Sequence, residues 1–299
     1  MITLGLTVKQ IRLDKGFSQK EIYSGIVSRS FATRFEHGQH DIAATKLFAI
    51  LDNLGVSVDE YRFIAQHYQS SPLDQALLIT TQAYYDQNFT FLTNWVRDHQ
   101  HSPKAYERLV ASYTSIRLIA FDHRQMPLTT AIQPAYQHLR QTKTWTVQEL
   151  KLANLLPALV ASDAGIAALA DFTLKMVQNC HRYQTTLGDP FHVLTALIDY
   201  YGAVLQTYLN WREFDYARAL APKFQALEPT RLTWDGRLGR QFWLAIWALY
   251  FGDAIAGQAT LKKLMAVERL HQPIIDTNLR TIIHVRQLEA QAYRAGKLN

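Results

Sequence analysis

The stretch Ser18–Gly38, SQKEIYSGIVSRSFATRFEHG, decides the reading of this chain. Ser18 is a good helix cap, and Glu21 stands three residues on, as a reciprocal capping box requires. A short helix over Gln19–Tyr23 follows, then Gly25 for a tight turn. Ser28 caps a second helix that runs through Glu36, and Gly38 closes it. Two capped helices around a glycine turn predict a helix-turn-helix, whose second helix lies in the major groove of double-stranded DNA.

The second helix has the chemistry for that task. Arg29 and Ser30 lie near its start, where base edges are usually read, and Thr33 and Arg34 follow one turn on. Arginine can hold guanine through two parallel hydrogen bonds. Ser28, Arg29, Ser30, Thr33 and Arg34 are therefore the candidate DNA contacts, with Gln19 and Lys20 placed at the first helix's N-terminus to meet a phosphate. Ala32 and Phe35 are expected to face inward, and Phe31 either packs or touches a thymine methyl. A small helical hairpin with a solvated basic face is the plainer reading. Charge favours DNA: residues 9–34 carry six basic side chains against two acidic, whereas residues 35–66 carry two against five.

Working outward, Thr7–Lys15 reads as a first helix, with Val8, Ile11, Leu6 and Leu13 as core candidates and Gly16 as its stop. Ala43–Leu54 reads as a fourth, with Leu47, Ile50, Leu51 and Leu54 at helical spacing. Ser57 and Glu60 form a second capping box, opening a fifth helix from Val58 to about His67. Residues 1–67 are thus a five-helix domain, and 68–72 a short linker.

The order KGFSQKEI, VSRSFATRFEHG and LGVSVDEY resembles the XRE-type helix-turn-helix of phage-repressor-like regulators. The SQKE, SRS…RFE and ILDNLGVS segments resemble, more narrowly, the Rgg/GadR/MutR (RNPP-like) regulators of lactic acid bacteria and streptococci.

Residues 73–299 show no strand pattern. Apolar periodicity predicts helices over 73–87, 89–100, 103–123, 129–143, 146–160, 163–186, 190–212, 215–228, 235–251, 254–271 and 274–295. Their pairing at a spacing of roughly 40 residues suggests irregular TPR-like hairpins, with a helix bundle as the plainer alternative. The fold class is therefore all-α. The resemblance continues in Trp145-Thr146-Val147-Gln148-Glu149-Leu150 with Asn154, in Phe214–Ala217, and in Phe242 with Leu249–Gly252. It implies a cytosolic transcription regulator that binds DNA as a homodimer, with a short peptide entering the concave face in many members. An extended peptide needs amide, guanidinium and aromatic partners. Tyr113, Arg117, Lys151, Asn154, Tyr200, Tyr201, Gln206, Arg240 and Trp243 are the candidates, each of which could equally be ordinary core or surface.

The remaining composition bounds the answer. With 299 residues, 48% apolar and 19% charged, the chain is globular and long enough for about two domains. Its net charge of +6 permits an acidic partner. One cysteine, Cys180, rules out an internal disulfide and is expected to be a partly buried, inert thiol. The N-terminus lacks a signal-peptide pattern, and no apolar run is long enough for a bilayer, so a cytoplasmic protein is expected. His37 and His40 beside Glu36 lack the further ligands a metal needs, and Asp122-His123-Arg124 reads as a polar helix end. Nucleophile-elbow, P-loop and zincin motifs are absent from the sequence, so neither an enzyme nor a cofactor is expected. Two alternatives stand beside the peptide-responsive regulator. One is a peptide-independent regulator whose C-terminal helices serve dimerisation and RNA polymerase contact; the other is a helical-repeat adaptor that does not bind DNA.

Overall fold

The computed structural model describes residues 4–120, 128–270 and 277–297. These divide into two compact units, 1–76 and 77–299. Among the described residues there are helices and no strand; one isolated bridge, Thr185 to Gly188, closes a tight turn.

The first unit holds α1 (Leu4–Asp14), α2 (Gln19–Tyr23), α3 (Arg29–Glu36), α4 (Ala44–Leu54) and α5 (Val58–Ala65). Its boundaries follow from local chemistry. Ser18 accepts from the Glu21 backbone while the Glu21 carboxylate accepts from the Ser18 backbone, so the first capping box is complete. At Ser57 only half of the expected box forms, the serine accepting from Glu60 N–H. Gly25 and Gly38 close their turns at φ of 78° and 73°, a conformation that strains any residue with a Cβ. Val8, Ile11, Ile22, Ala32, Phe35, Ile50, Leu51 and Leu54 form the core. Leu6 and Leu13 do not join it; they are 49% and 56% exposed. The inward face of α1 is rotated instead to bury Arg12, which answers a charge on α3.

The second unit continues through α6 (Pro72–Tyr85), which begins in the first unit, and α7 (Phe89–His99). Pro72 was expected in the linker, but it is the first residue of α6, where its missing N–H costs nothing, and Ser71 accepts from the Asp74 N–H. Then come α8 (Ala105–Ala120), α9 (Gln133–Gln141), α10 (Val147–Leu152), α11 (Leu156–Ala164), α12 (Leu169–Arg182), α13 (Val193–Asn210), α14 (Phe214–Arg218), α15 (Ala221–Gln225), α16 (Trp234–Phe251), α17 (Ala254–Glu268) and α18 (Thr277–Arg294). Helices expected over 146–160 and 215–228 are each broken in two. Pro157 and Pro222 lack the N–H that would continue the upstream helix, and each stands instead in the first turn of a new one. The expected hairpin pairing appears in α7 against α8 and α16 against α17.

The axis of this unit is α13. Thirteen of its 18 residues are buried, and α10, α11, α12, α14 and α16 all pack on it. Trp145 is fully buried beside it in the same core, its indole N–H donating to Leu139 O. Cys180 is buried there too, and that burial pushes its thiol up to about 12, beyond ordinary reactivity.

Candidate DNA interface and candidate ligand cavity

Helix α3 is two-sided. Ala32, Phe35 and Glu36 are buried, while Ser28, Arg29, Ser30, Thr33 and Arg34 are exposed on the opposite side. Ser28 works chiefly as the cap, its Oγ accepting from Phe31 N–H at 3.3 Å. Thr33 Oγ1 donates back to Arg29 O, and Arg34 Nε donates to Ser30 O, so both side chains lie along the helix surface. Phe31 packs: it stacks on Phe35 and on His40.

What fixes the pitch of α3 is the buried carboxylate of Glu36, the last residue of the helix. Glu36 accepts from Arg12 Nε at 2.7 Å and Nη2 at 2.8 Å, from Tyr23 Oη at 3.0 Å and from Gln19 Nε2 at 2.9 Å. Arg12 Nη1 also donates to Phe17 O. Helices α1, α2 and α3 thus meet at one ion pair, bidentate and 1% exposed on the acid side. Burial opposes ionisation of Glu36, but donation from Arg12, Gln19 and Tyr23 outweighs it, and its carboxyl is held below the ordinary range. Burial first, then the Glu36 charge, drives the Tyr23 phenol far above its usual value.

The Gln19 side chain bridges Glu36 and Thr33, so the group of this residue that a phosphate would meet is its backbone N–H at the start of α2. The same arrangement corrects the charge count. Arg12 adds no surface charge, because its guanidinium is neutralised in the core, and Lys15 is drawn to the carboxyl end of α4, donating to Leu54 O at 2.7 Å. The exposed positive charge of the helix-turn-helix rests on Lys20, Arg29 and Arg34.

In the second unit, a cavity of about 620 Å³ opens among α6, α8, α11, α13, α16 and α18. Of the residues proposed from sequence, Asn154, Gln206 and Trp243 line it. Lys151 lines an adjoining cavity of about 360 Å³, and Asp199 is common to the two. The others lie elsewhere. Tyr113 and Tyr200 are core side chains, 2% and 0% exposed. Tyr201 is buried on the far side of α13 and edges onto Phe224. Arg117 donates to Thr81 Oγ1, and Arg240 caps the end of α15 by donating to Phe224 O and Gln225 O. Residue type and one-turn spacing select these five, but neither says which way the helix that carries them turns.

Asp199, Asn210, Arg286 and Glu289 are cavity residues the sequence reading missed. The signal for part of this set was present: Asp199, Ala203, Gln206 and Asn210 recur at i, i+4, i+7 and i+11 as a small or polar stripe on an otherwise apolar helix. Arg286 is 3% exposed; it donates to Glu289 Oε2 at 2.7 Å, to Gln206 Oε1 at 3.2 Å and to Asn210 Oδ1. The Asp199 side chain reaches solvent but stands in a concave wall; that enclosure and the nearby Asp235 push its carboxyl up to about 6. Asp122, His123 and Arg124 lie outside the described residues. Among the described residues no group of three or more His, Cys, Asp or Glu converges as a metal site would require.

Residues 8–61 match the helix-turn-helix family HTH_3. The class is therefore a helix-turn-helix domain followed by a helical domain. No curated protein matches the chain. Solved structures share the fold over nearly its whole length. A candidate transcriptional regulator of Listeria monocytogenes EGD-e is 19% identical over 97% of this chain and 98% of its own, with a TM-score of 0.69. The SHP pheromone receptor Rgg2 of Streptococcus dysgalactiae is 16% identical over 98% of this chain and 99% of its own, with a TM-score of 0.66. PrgX in complex with cCF10 is 14% identical over 97% of this chain and 99% of its own, with a TM-score of 0.60. The helix-turn-helix domain supports DNA binding, and the solved structures show the fold of the whole chain. Among the described residues no helix is long and apolar enough to cross a membrane.

Proposed function

We propose that the chain is a homodimeric, sequence-specific regulator in which α3 reads base edges and the cavity of the second unit takes a short peptide. The observation that carries this reading is the face of α3: Arg29, Ser30, Thr33 and Arg34 are exposed on one side, while Ala32, Phe35 and Glu36 anchor the other. A recognition helix needs that combination of exposed polar side chains and a rigid seat. Arg29 and Arg34 are the base-reading candidates, and Lys20 is a phosphate contact. Ser28 serves mainly to hold the start of the helix.

The peptide part of the reading is supported by the cavity's size and lining. A volume of about 620 Å³ falls in the range of ligand sites, and its walls mix apolar surface with the amides of Asn154, Gln206 and Asn210. Amides of this kind pair with the backbone of an extended chain. Rgg2 is a pheromone receptor and PrgX has been seen with cCF10, which makes the same use of a shared fold reasonable here. Such a ligand acts by binding one arrangement of the dimer more tightly than another.

The test is selection of bound duplexes from a random pool by the full chain, followed by gel shift. Recovery of a two-part site with half-sites about 34 Å apart, or a multiple of that, supports the dimeric reader. Failure to retain any duplex at low salt refutes it and favours the adaptor reading. Sedimentation of the free chain reports the dimer independently.

A further inference from the structure

The cavity floor is unequal at its two ends. At one end the Arg286 guanidinium, which only donates, holds both Gln206 Oε1 and Asn210 Oδ1 with the same Nη2. Its other terminal nitrogen holds Glu289 Oε2, which also accepts from Tyr250 Oη. This fixes the two amides, because an amide whose oxygen faces a guanidinium must turn its NH₂ group the other way. Gln206 and Asn210 both line the cavity, so their N–H donors are presented to it. Arg286 Nε is buried in the same wall and has no hydrogen-bond acceptor among the described residues. A buried donor without an acceptor is costly, and an incoming group that accepts recovers that cost. This end therefore offers donors from Gln206, Asn210 and Arg286, beside a Glu289 carboxylate already held by Arg286 and Tyr250.

The other end is acidic. Asp199 stands seven residues before Gln206 and eleven before Asn210 on α13, roughly 10 and 16 Å along the helix. Asp235 adds a second carboxyl from α16; Lys151 and His192 share this end, and among the described residues no ion pair joins either to Asp199. An extended chain of about five residues spans the interval, at ~3.3 Å per residue.

Resting on the peptide reading above, we propose that the cavity takes its peptide in one direction, with the free C-terminal carboxylate on Gln206, Asn210 and Arg286 and the ammonium or basic group toward Asp199. Arg286 is a positioning residue as well as a contact, since it sets the amides that do the holding.

The probe is a pool of synthetic apolar hexapeptides, each made with free ends, as the C-terminal amide and as the N-acetyl form. Equilibrium dialysis against the full chain measures each form. Free-ended peptides should bind about tenfold more tightly than their amides, the effect of one or two charge-assisted hydrogen bonds. Gln206→Glu keeps an oxygen for Arg286 but puts a carboxylate where the NH₂ stood, so this preference should vanish without unfolding the chain. Asp199→Asn should abolish the discrimination against N-acetyl forms and leave the carboxylate preference intact. Amides that bind as well as acids, or a preference that survives Gln206→Glu, overturn the proposed direction while leaving peptide binding standing. If no form binds the wild-type chain at all, the peptide reading fails and the direction falls with it.

Discussion

Glu36→Gln is the sharpest perturbation the first unit offers. The wild-type carboxylate accepts from Arg12, Tyr23 and Gln19 in a site that is 1% exposed. An amide removes the charge and turns one donor toward the guanidinium, leaving Arg12 buried and uncompensated. Breaking a buried pair from one side costs about 3–5 kcal/mol. A domain the size of this unit has only roughly 4–11 kcal/mol of stability in total. The variant should therefore lose at least about 12 °C from the first unit's midpoint, at ~4 °C or more per kcal/mol for a small domain. The assay has an internal control. All six tryptophans, Trp95, Trp145, Trp211, Trp234, Trp243 and Trp247, lie in the second unit. Circular dichroism sees both units, whereas tryptophan fluorescence follows the second alone. Glu36→Gln should lower the early dichroism transition and leave the fluorescence transition in place. Acid should do the same to the wild type. Because the folded carboxyl lies below its unfolded value, its stabilisation is complete above about pH 4.3 and is lost as pH falls through the folded value. The triple change Arg12→Met, Tyr23→Phe, Glu36→Leu leaves only Gln19, which can turn to water, and the part-buried Phe17 carbonyl without their partners, and should recover most of the loss. A shift under about 0.5 kcal/mol for Glu36→Gln, within the range of an ordinary surface change, would refute the account of how α3 is seated.

Further outcomes follow from the same geometry. Arg29→Ala and Arg34→Ala should each weaken specific DNA binding by about 1–3 kcal/mol and relax one base position, read by selection from a random pool; equal loss on all sequences would make them phosphate contacts. Lys20→Ala should reduce the slope of log affinity against log salt by about one, measured by titration at several ionic strengths. At Gly5 an added Cβ would sit 1.7 Å from Phe35 O, so Gly5→Ala should prise α1 from α3 and lower the early dichroism transition. At Gly202 it would sit 2.1 Å from the Trp243 indole, and Gly202→Ala should shift the tryptophan emission and weaken ligand binding in the cavity. The Asp199 carboxyl should titrate near pH 6 by carbon-detected NMR, and Asp235→Asn should lower that midpoint.

Much of the first unit was legible because its signals are local. Ser18, Gly25, Ser28 and Gly38 act on residues within one turn of themselves, and the caps fall where the sequence places them. The Arg12–Glu36 pair joins residues 24 apart, and no local rule marks an arginine that will be buried. Reading the first helix as Leu6, Val8, Ile11 and Leu13 followed hydrophobicity, but these positions do not share one helical face. In the second unit the helices were visible, yet Pro157 and Pro222 divided two of them. Tyr200 and Tyr201 drew attention by type, whereas the spacing of Asp199, Ala203, Gln206 and Asn210 carried the orientation of α13. Arg286 reaches Gln206 across 80 residues of sequence, which only the folded chain reveals.

The enclosure of α13 limits how this molecule can answer a bound molecule. Hemmed by close-packed neighbours away from the cavity, that rod has no slack, since packed interiors resist compression. Accommodation falls instead to the opposite wall, where α18 keeps Val285 and Leu288 in solvent and is tied across by Arg286. A ligand thus meets one wall that cannot yield, and its fit has to be made against that wall and the Arg286 tie.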